Sequence, residues 1–216
     1  MRRLAVIGPL LACSLLVAAV AQGGPPRVEQ KRLRPADMAL AKRVTLRAAD
    51  VGRGWTRTRP EKPSTELPTC PGVDMDFSRF TITGTARSAF QLRSATVDSQ
   101  VEVFKSRADA AGDFRKATSA PVLRCLGRWL RDEVEKEIPG VRIVSARLVS
   151  RPRLGDRAVL YRVVMDAPAQ AATVRVFVDL LGFQRGRTAV TLSFGSAERP
   201  LGGQIVLARK VLARAR

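Results

Sequence analysis

The sequence predicts an α+β domain: an antiparallel sheet of about six strands with helices packed on it. Three observations carry this reading. Apolar residues alternate with period two between residues 80 and 103 and again over the last third of the chain. A helical three- and four-residue period is clearest between Val122 and Val134. The strands arrive in runs joined by short turns, which favours hairpin pairing over a βαβ Rossmann layout. The expected order is α-ββ-αα-ββββ-α.

Asp37 precedes an amphipathic stretch, 38–46, that reads as a helix of about ten residues. A polar, proline-bearing loop over 57–71 carries Cys70. Phe80, Ile82 and Gly84 then alternate with threonines, and Val97, Ser99, Val101 and Val103 with Asp98, Gln100 and Glu102. Such strands have one wetted face, as an antiparallel sheet permits. Ser106-x-x-Asp109 resembles a capping box and opens a short helix through Phe114 to Ala117. Ser119-Ala120-Pro121 starts the clearest helix. Val122, Cys125, Leu126, Trp129, Leu130 and Val134 form its apolar side, Arg124, Arg128, Arg131 and Asp132 fall elsewhere, and Pro139-Gly140 ends it. Four strands follow at 141–149, 158–165, 173–183 and 188–194, the last two joined through a turn at Gln184-Arg185-Gly186-Arg187. A helix over 200–215 closes the chain, with Ile205, Leu207, Val211 and Leu212 as its apolar positions.

The N-terminus has the three parts of a secretory signal: Arg2-Arg3, an apolar stretch from Leu4 to Ala21, and the small-residue triplet Ala19-Val20-Ala21. Residues 1–21 are read as a signal peptide cleaved after Ala21. An uncleaved anchor is the alternative, because the stretch is just long enough to span a bilayer. A lipobox-like Leu10-Leu11-Ala12-Cys13, with Cys13 lipidated, is a third. All three place the rest of the chain outside the cytoplasm, secreted or associated with the cell envelope. Residues 22–35, rich in Gly, Pro and charge, read as a flexible linker, and 36–216 as one α+β domain.

Cys70 and Cys125 then remain in an oxidising compartment, where a matched pair is expected to form a disulfide. The formal charge of +19 suits anionic partners such as a membrane surface or an acidic wall polymer. Basic residues are spread along the chain, as in Arg53-Gly54-Trp55-Thr56-Arg57, Arg151-Pro152-Arg153 and Arg185-Gly186-Arg187, and aromatic interleaving is poor. Specific nucleic-acid binding is therefore not expected.

The sequence contains no histidine, which excludes Ser-His-Asp and Cys-His catalysis and makes a conventional zinc site implausible. Gly-x-Ser-x-Gly elbows and phosphate-cradling glycine loops are absent. Paired carboxylates could serve a hydrolase at Asp74-Met75-Asp76 or in the cluster Asp132, Glu133, Glu135 and Glu137. The second reads more simply as a solvated helix face, and the first as a polar approach to a strand; a calcium site at Asp74 and Asp76 is the rarer alternative. The chain is thus read as a non-enzyme without cofactor. Two residues are singled out for ligand contact. Trp55 lies beside glycines that give its loop room, with packing of the first helix as its ordinary role. Asp156 follows Gly155, where its carboxylate would ordinarily bond turn N–H groups.

Val101-Glu102-Val103-Phe104-Lys105-Ser106-Arg107-Ala108-Asp109-Ala110, Cys125-Leu126, Leu154-Gly155-Asp156-Arg157-Ala158 and Arg185-Gly186-Arg187-Thr188-Ala189-Val190 resemble secreted actinobacterial proteins of unknown function. Those are similar in turn to the extracytoplasmic sensor-like domains of actinobacterial Ser/Thr kinases and to small envelope lipoproteins. The resemblance implies a twisted antiparallel sheet of the Mog1/PsbP type with a ligand cleft. The expected function is small-molecule or lipid binding by a monomer. Docking of a basic surface on anionic lipid, wall polymer or a membrane partner is the alternative, and a carboxylate-based secreted hydrolase the second alternative.

Overall fold

The computed structural model describes residues 26–60, 67–169, 172–197 and 199–215. The signal segment at 1–21, with Cys13, lies outside the described residues. Among the described residues no helix is long and apolar enough to cross a membrane.

The elements in chain order are β1 (Gln30–Lys31), α1 (Pro35–Val44), α2 (Ala48–Val51), β2 (Thr56–Thr58), β3 (Thr81–Leu92) and β4 (Ala95–Phe104). They continue with α3 (Arg107–Ala117), α4 (Ala120–Glu137), β5 (Arg142–Ser150), β6 (Arg157–Ala169), β7 (Ala172–Arg185), β8 (Thr188–Ala197) and α5 (Gln204–Arg214). The long elements follow the predicted order. The protein is α+β, built on one open sheet in the order β1-β3-β4-β8-β7-β6-β5, with β2 also pairing β3. Two meanders, β3-β4 and β5-β6-β7-β8, join where β8 pairs antiparallel with β4.

Three expectations need correction. The sheet has eight strands, not about six, and it is mixed, because β1 runs parallel to β3. The two extra strands are two and three residues long, too short to show a period in sequence. The segment read as a flexible linker is built in from Arg27 onward. The amides of Gln30, Arg32 and Arg34 donate to the carbonyls of Phe80, Ile82 and Thr83 at 2.9, 2.9 and 2.7 Å, so this strap covers one end of the β3 edge. Trp129, whose helical phase on the apolar side of α4 reads as a core position, is half-buried and belongs to none of the buried clusters.

Alternation divides the sheet into two unlike faces. On the first, Val97, Val101 and Val103 of β4, Val190, Leu192 and Phe194 of β8, and Leu181 and Phe183 of β7 pack beneath Ala41 and Val44 of α1 and Ala208 and Val211 of α5. α1 sits directly on β3 at Gly84, where a Cβ would lie 2.2 Å from the Asp37 carbonyl oxygen. Several polar groups buried on this face are paired. Asp179, 1% exposed, accepts two hydrogen bonds from Arg162 at 2.6 and 2.8 Å and a third from Gln204 of α5. Ser88 donates to the Leu46 carbonyl at 2.9 Å, and Ser99 accepts the Leu46 amide at 3.1 Å.

The second face is only partly covered, by α3 and α4. Ser106 caps α3 by accepting the Asp109 amide at 3.0 Å, as its sequence signature predicts. α4 lies over β5 and β6, its Leu123, Leu130 and Val134 packing on Ile143, Ala146, Tyr161 and Val163. It crosses Tyr161 at Gly127, where a Cβ would come within 3.0 Å of the hydroxyl, and that hydroxyl donates to the Leu123 carbonyl at 3.2 Å. Cys125 is bonded to Cys70 with 5.9 Å between the Cα atoms, within the range a disulfide requires. Around the bridge, residues 67–80 bury Met75, Phe77 and Phe80 against Ile82, Phe104, Ala110 and Val122.

Two stability measurements follow from this packing. The double variant Cys70→Ser/Cys125→Ser should lose up to about 4 kcal/mol in urea unfolding, from the 55-residue separation of the bridged positions. Gly84→Ala should lose at least about 2 kcal/mol, because its methyl group meets backbone that cannot rotate away. An unchanged urea midpoint for either would contradict the packing described.

Candidate functional site

Because α3 and α4 leave part of the second face open, a groove forms where their connection passes β5 and β6. Its larger hollow, about 500 Å³, is lined by Phe114, Arg115, Thr118, Ser119, Ala120, Arg151, Pro152, Arg157 and Ala158. A neighbouring slot of about 220 Å³ shares Ala120 and Arg151 and adds Leu123, Arg124, Ala146, Arg147, Leu148 and Tyr161.

Each arginine is placed by its element. Arg115 is in the last turn of α3, where a cation complements the helix dipole. Arg157 opens β6 one position before the buried Ala158, so alternation puts it on the same face as Val159 and Tyr161. Arg151 follows β5, and Arg124 projects from the first turns of α4. Arg115, Arg124, Arg151 and Arg157 are all exposed, and no carboxylate lines either hollow. Among the described residues ion pairs lie elsewhere, at Arg107–Asp156, Arg162–Asp179, Arg187–Asp37, Arg214–Asp50, Lys116–Asp74 and around Asp166. The Ser119 side chain makes no capping bond, and the first turn of α4 has no acidic residue.

The sequence-selected residues lie apart from this groove. Trp55 is partly buried against the core of the first face, and it lines neither hollow. Asp156 accepts the Gly186 amide and an Arg107 N–H, both at 3.0 Å, which ties the start of β6 to the β7–β8 turn. Asp74 pairs with Lys116 at 2.6 Å and accepts the Asp76 amide at 2.9 Å, while Asp76 accepts the Ser78 amide at 2.8 Å. The Lys116 hydrogen bond holds the Asp74 carboxyl below its ordinary range, and bonds from Ser78 do the same for Asp76. Both carboxylates are thus ionised turn and ion-pair groups, poorly suited to donate a proton. Of the cluster on α4, Glu135 accepts the Ile143 amide at 2.8 Å. Among the described residues no group of three potential ligands is placed to hold a metal ion. Two further hollows lie at the β3–β4 hairpin, about 760 Å³, and beside β2, about 420 Å³.

One constellation was not legible in the sequence. Glu29 of the N-terminal strap, Glu102 of β4 and Asp113 of α3 come together on the second face. Burial pushes the Asp113 carboxyl up to about 8, with repulsion from Glu29 and Glu102 and a hydrogen bond with Glu29 adding to it, and Lys116 opposing. Glu102 is raised as well, first by desolvation and then by Glu29, against a hydrogen bond from Gln100 and the charges of Lys31 and Arg87. Asp113 Oδ1 has no hydrogen-bond partner. None of these three carboxyls lines the groove.

No protein-family model matches the chain, and no curated protein gives a significant match.

The acidic cluster generates a pH prediction. A carboxyl whose folded pKa lies above its unfolded value favours the folded state in its protonated form. Its stabilisation is complete below about pH 4 and is lost as pH rises through about 8. Asp113→Asn should therefore flatten that decline and be more stable than the parent at pH 9 by about 2 kcal/mol. Parallel stability–pH profiles for the two proteins would refute the cluster.

Proposed function

We propose that this chain is an exported cell-envelope domain that binds a small or lipidic ligand, without catalysis, in the groove between α4 and the β5–β6 edge. The observation that carries the reading is the union of two chemistries in one concave surface. A hollow rimmed by Arg115, Arg151 and Arg157 runs into a slot whose apolar wall is Leu123, Ala146, Leu148 and Tyr161, with Arg124 and Arg147 also lining it. The larger hollow has the size of an ordinary ligand pocket, about 300–1,000 Å³. Export rests on the signal-like N-terminus, and a sensor-like role on the resemblance to extracytoplasmic kinase domains.

The groove offers little to a reaction. It has no carboxylate, the sequence has no histidine, and the Tyr161 hydroxyl is engaged with the Leu123 carbonyl and raised in pKa by burial. The exposed arginines at its rim also favour a second reading, in which this end of the domain rests on an anionic envelope surface.

Binding of apolar and amphiphilic compounds, followed as a thermal shift of the exported domain, should single out a subset of ligands. Leu148→Glu places a carboxylate at the mouth of the slot and should weaken those ligands at least tenfold, on the order of 1.4 kcal/mol, with the unliganded melting temperature unchanged. A flat response across a broad lipid and small-molecule set would sink the groove as a ligand site. Association with anionic vesicles that Leu148→Glu leaves intact and salt abolishes would favour surface docking.

A further inference from the structure

Both ends of the groove carry arginines, and the slot adds an apolar wall. At one end Arg115, Arg151 and Arg157 converge from α3, from the loop after β5 and from β6, with no carboxylate among the lining residues. Cations gathered in a concavity with low-dielectric walls focus potential far more than the same charges on a convex surface. The hollow is also flanked by Thr118 and Ser119 and by the uncapped, acid-free first turn of α4, whose N–H groups add to the same field. At the other end Leu123, Ala146, Leu148 and Tyr161 give the slot an apolar wall, Arg124 and Arg147 also line it, and Ala120 and Arg151 belong to both. One molecule with an anionic head and an apolar tail would satisfy both ends at once.

The donor count selects the head. One guanidinium presents a fork of donors that engages a carboxylate's two oxygens bidentately. Three guanidiniums exceed what a carboxylate can accept, whereas a phosphate ester offers more acceptor oxygens and up to two charges. The slot, about 220 Å³, is smaller than an ordinary pocket and suits part of one hydrocarbon chain.

We infer that the groove recognises a phosphate-bearing amphiphile, its phosphate on Arg115, Arg151 and Arg157 and its tail along Leu123, Ala146 and Leu148. The inference rests on the reading of the groove as a ligand site and adds the chemistry of the ligand. The same phosphate chemistry could come from a lipid head or from free phosphate, so the test separates them.

Isothermal titration of the exported domain with three probes decides it: a short-chain phosphatidic acid below its critical micelle concentration, the matching diacylglycerol, and inorganic phosphate. The phosphatidic acid should bind at least tenfold more tightly than either other probe. Arg115→Gln and Arg157→Gln, which line the larger hollow and not the slot, should each weaken it about tenfold while leaving diacylglycerol binding and the thermal melt unchanged. Equal affinity for phosphatidic acid and diacylglycerol would overturn the phosphate head and leave the apolar groove standing. Inorganic phosphate binding as tightly as the lipid would overturn the amphiphile. Binding seen only above the micelle concentration would replace the groove with surface docking, and no binding by any probe would overturn both readings.

Discussion

Where α4 sits is decided by a covalent link as much as by packing. The helix has apolar positions on more than one side, but Leu126 and Trp129 join none of the buried clusters, and Leu123, Leu130 and Val134 rest, partly buried, on the sheet cluster. Cys125, one turn after Val122, is bonded to Cys70, and through it the helix is joined to residues 67–80 and their buried Met75, Phe77 and Phe80. Gly127 then lets the helix approach the Tyr161 hydroxyl closely, and Glu135 secures its far end on the Ile143 amide. A helix fixed at these points bridges the open face without closing it, and the gap beside its first turns is the groove.

The other face shows what a closed face looks like in the same sheet. There α1 and α5 bury valines, leucines and phenylalanines from five strands, β3, β4, β6, β7 and β8, and ion pairs and hydrogen bonds are enclosed with them. Asp179 with Arg162 and Gln204, and Arg214 with Asp50 and the Val44 and Thr45 carbonyls, tie α5 to the sheet and to α1–α2. Breaking either would strand a buried charge, a cost far above that of losing a surface pair. The first face is closed by α1 and α5, whereas the second is only partly covered by α3 and α4.

Most of the frame was legible in the chain. The alternation through Val97, Val101 and Val103 marks β4, the spacing from Val122 to Val134 marks α4, and Ser106 with Asp109 marks the start of α3. Cys70 and Cys125 were the evident pair. β1 and β2 were not legible because two or three residues carry no period and their pairing with β3 is a tertiary event. Trp129 was misplaced because helical phase says which side a residue is on, not whether anything covers that side. The groove was hidden for a related reason. Arg115, Arg151 and Arg157 come from three elements, and in so basic a chain each reads as an ordinary solvated arginine. Asp113 looked like a helix-surface acid until the fold brought Glu29 and Glu102 to it. Trp55 and Asp156, chosen on local signals, have the local roles those signals describe, packing and turn bonding.

The central claim is that a disulfide-held helix leaves an amphiphile-binding groove on an exported domain. Native mass spectrometry of the domain secreted from an envelope-bearing host, with solvent extraction of whatever is bound, tests it most directly. The account predicts a population heavier than the polypeptide by one phosphate-bearing amphiphile, in a chain with Cys70 and Cys125 oxidised. Secreted protein of bare polypeptide mass that extraction shows to carry nothing, from a host rich in such lipids, would contradict it.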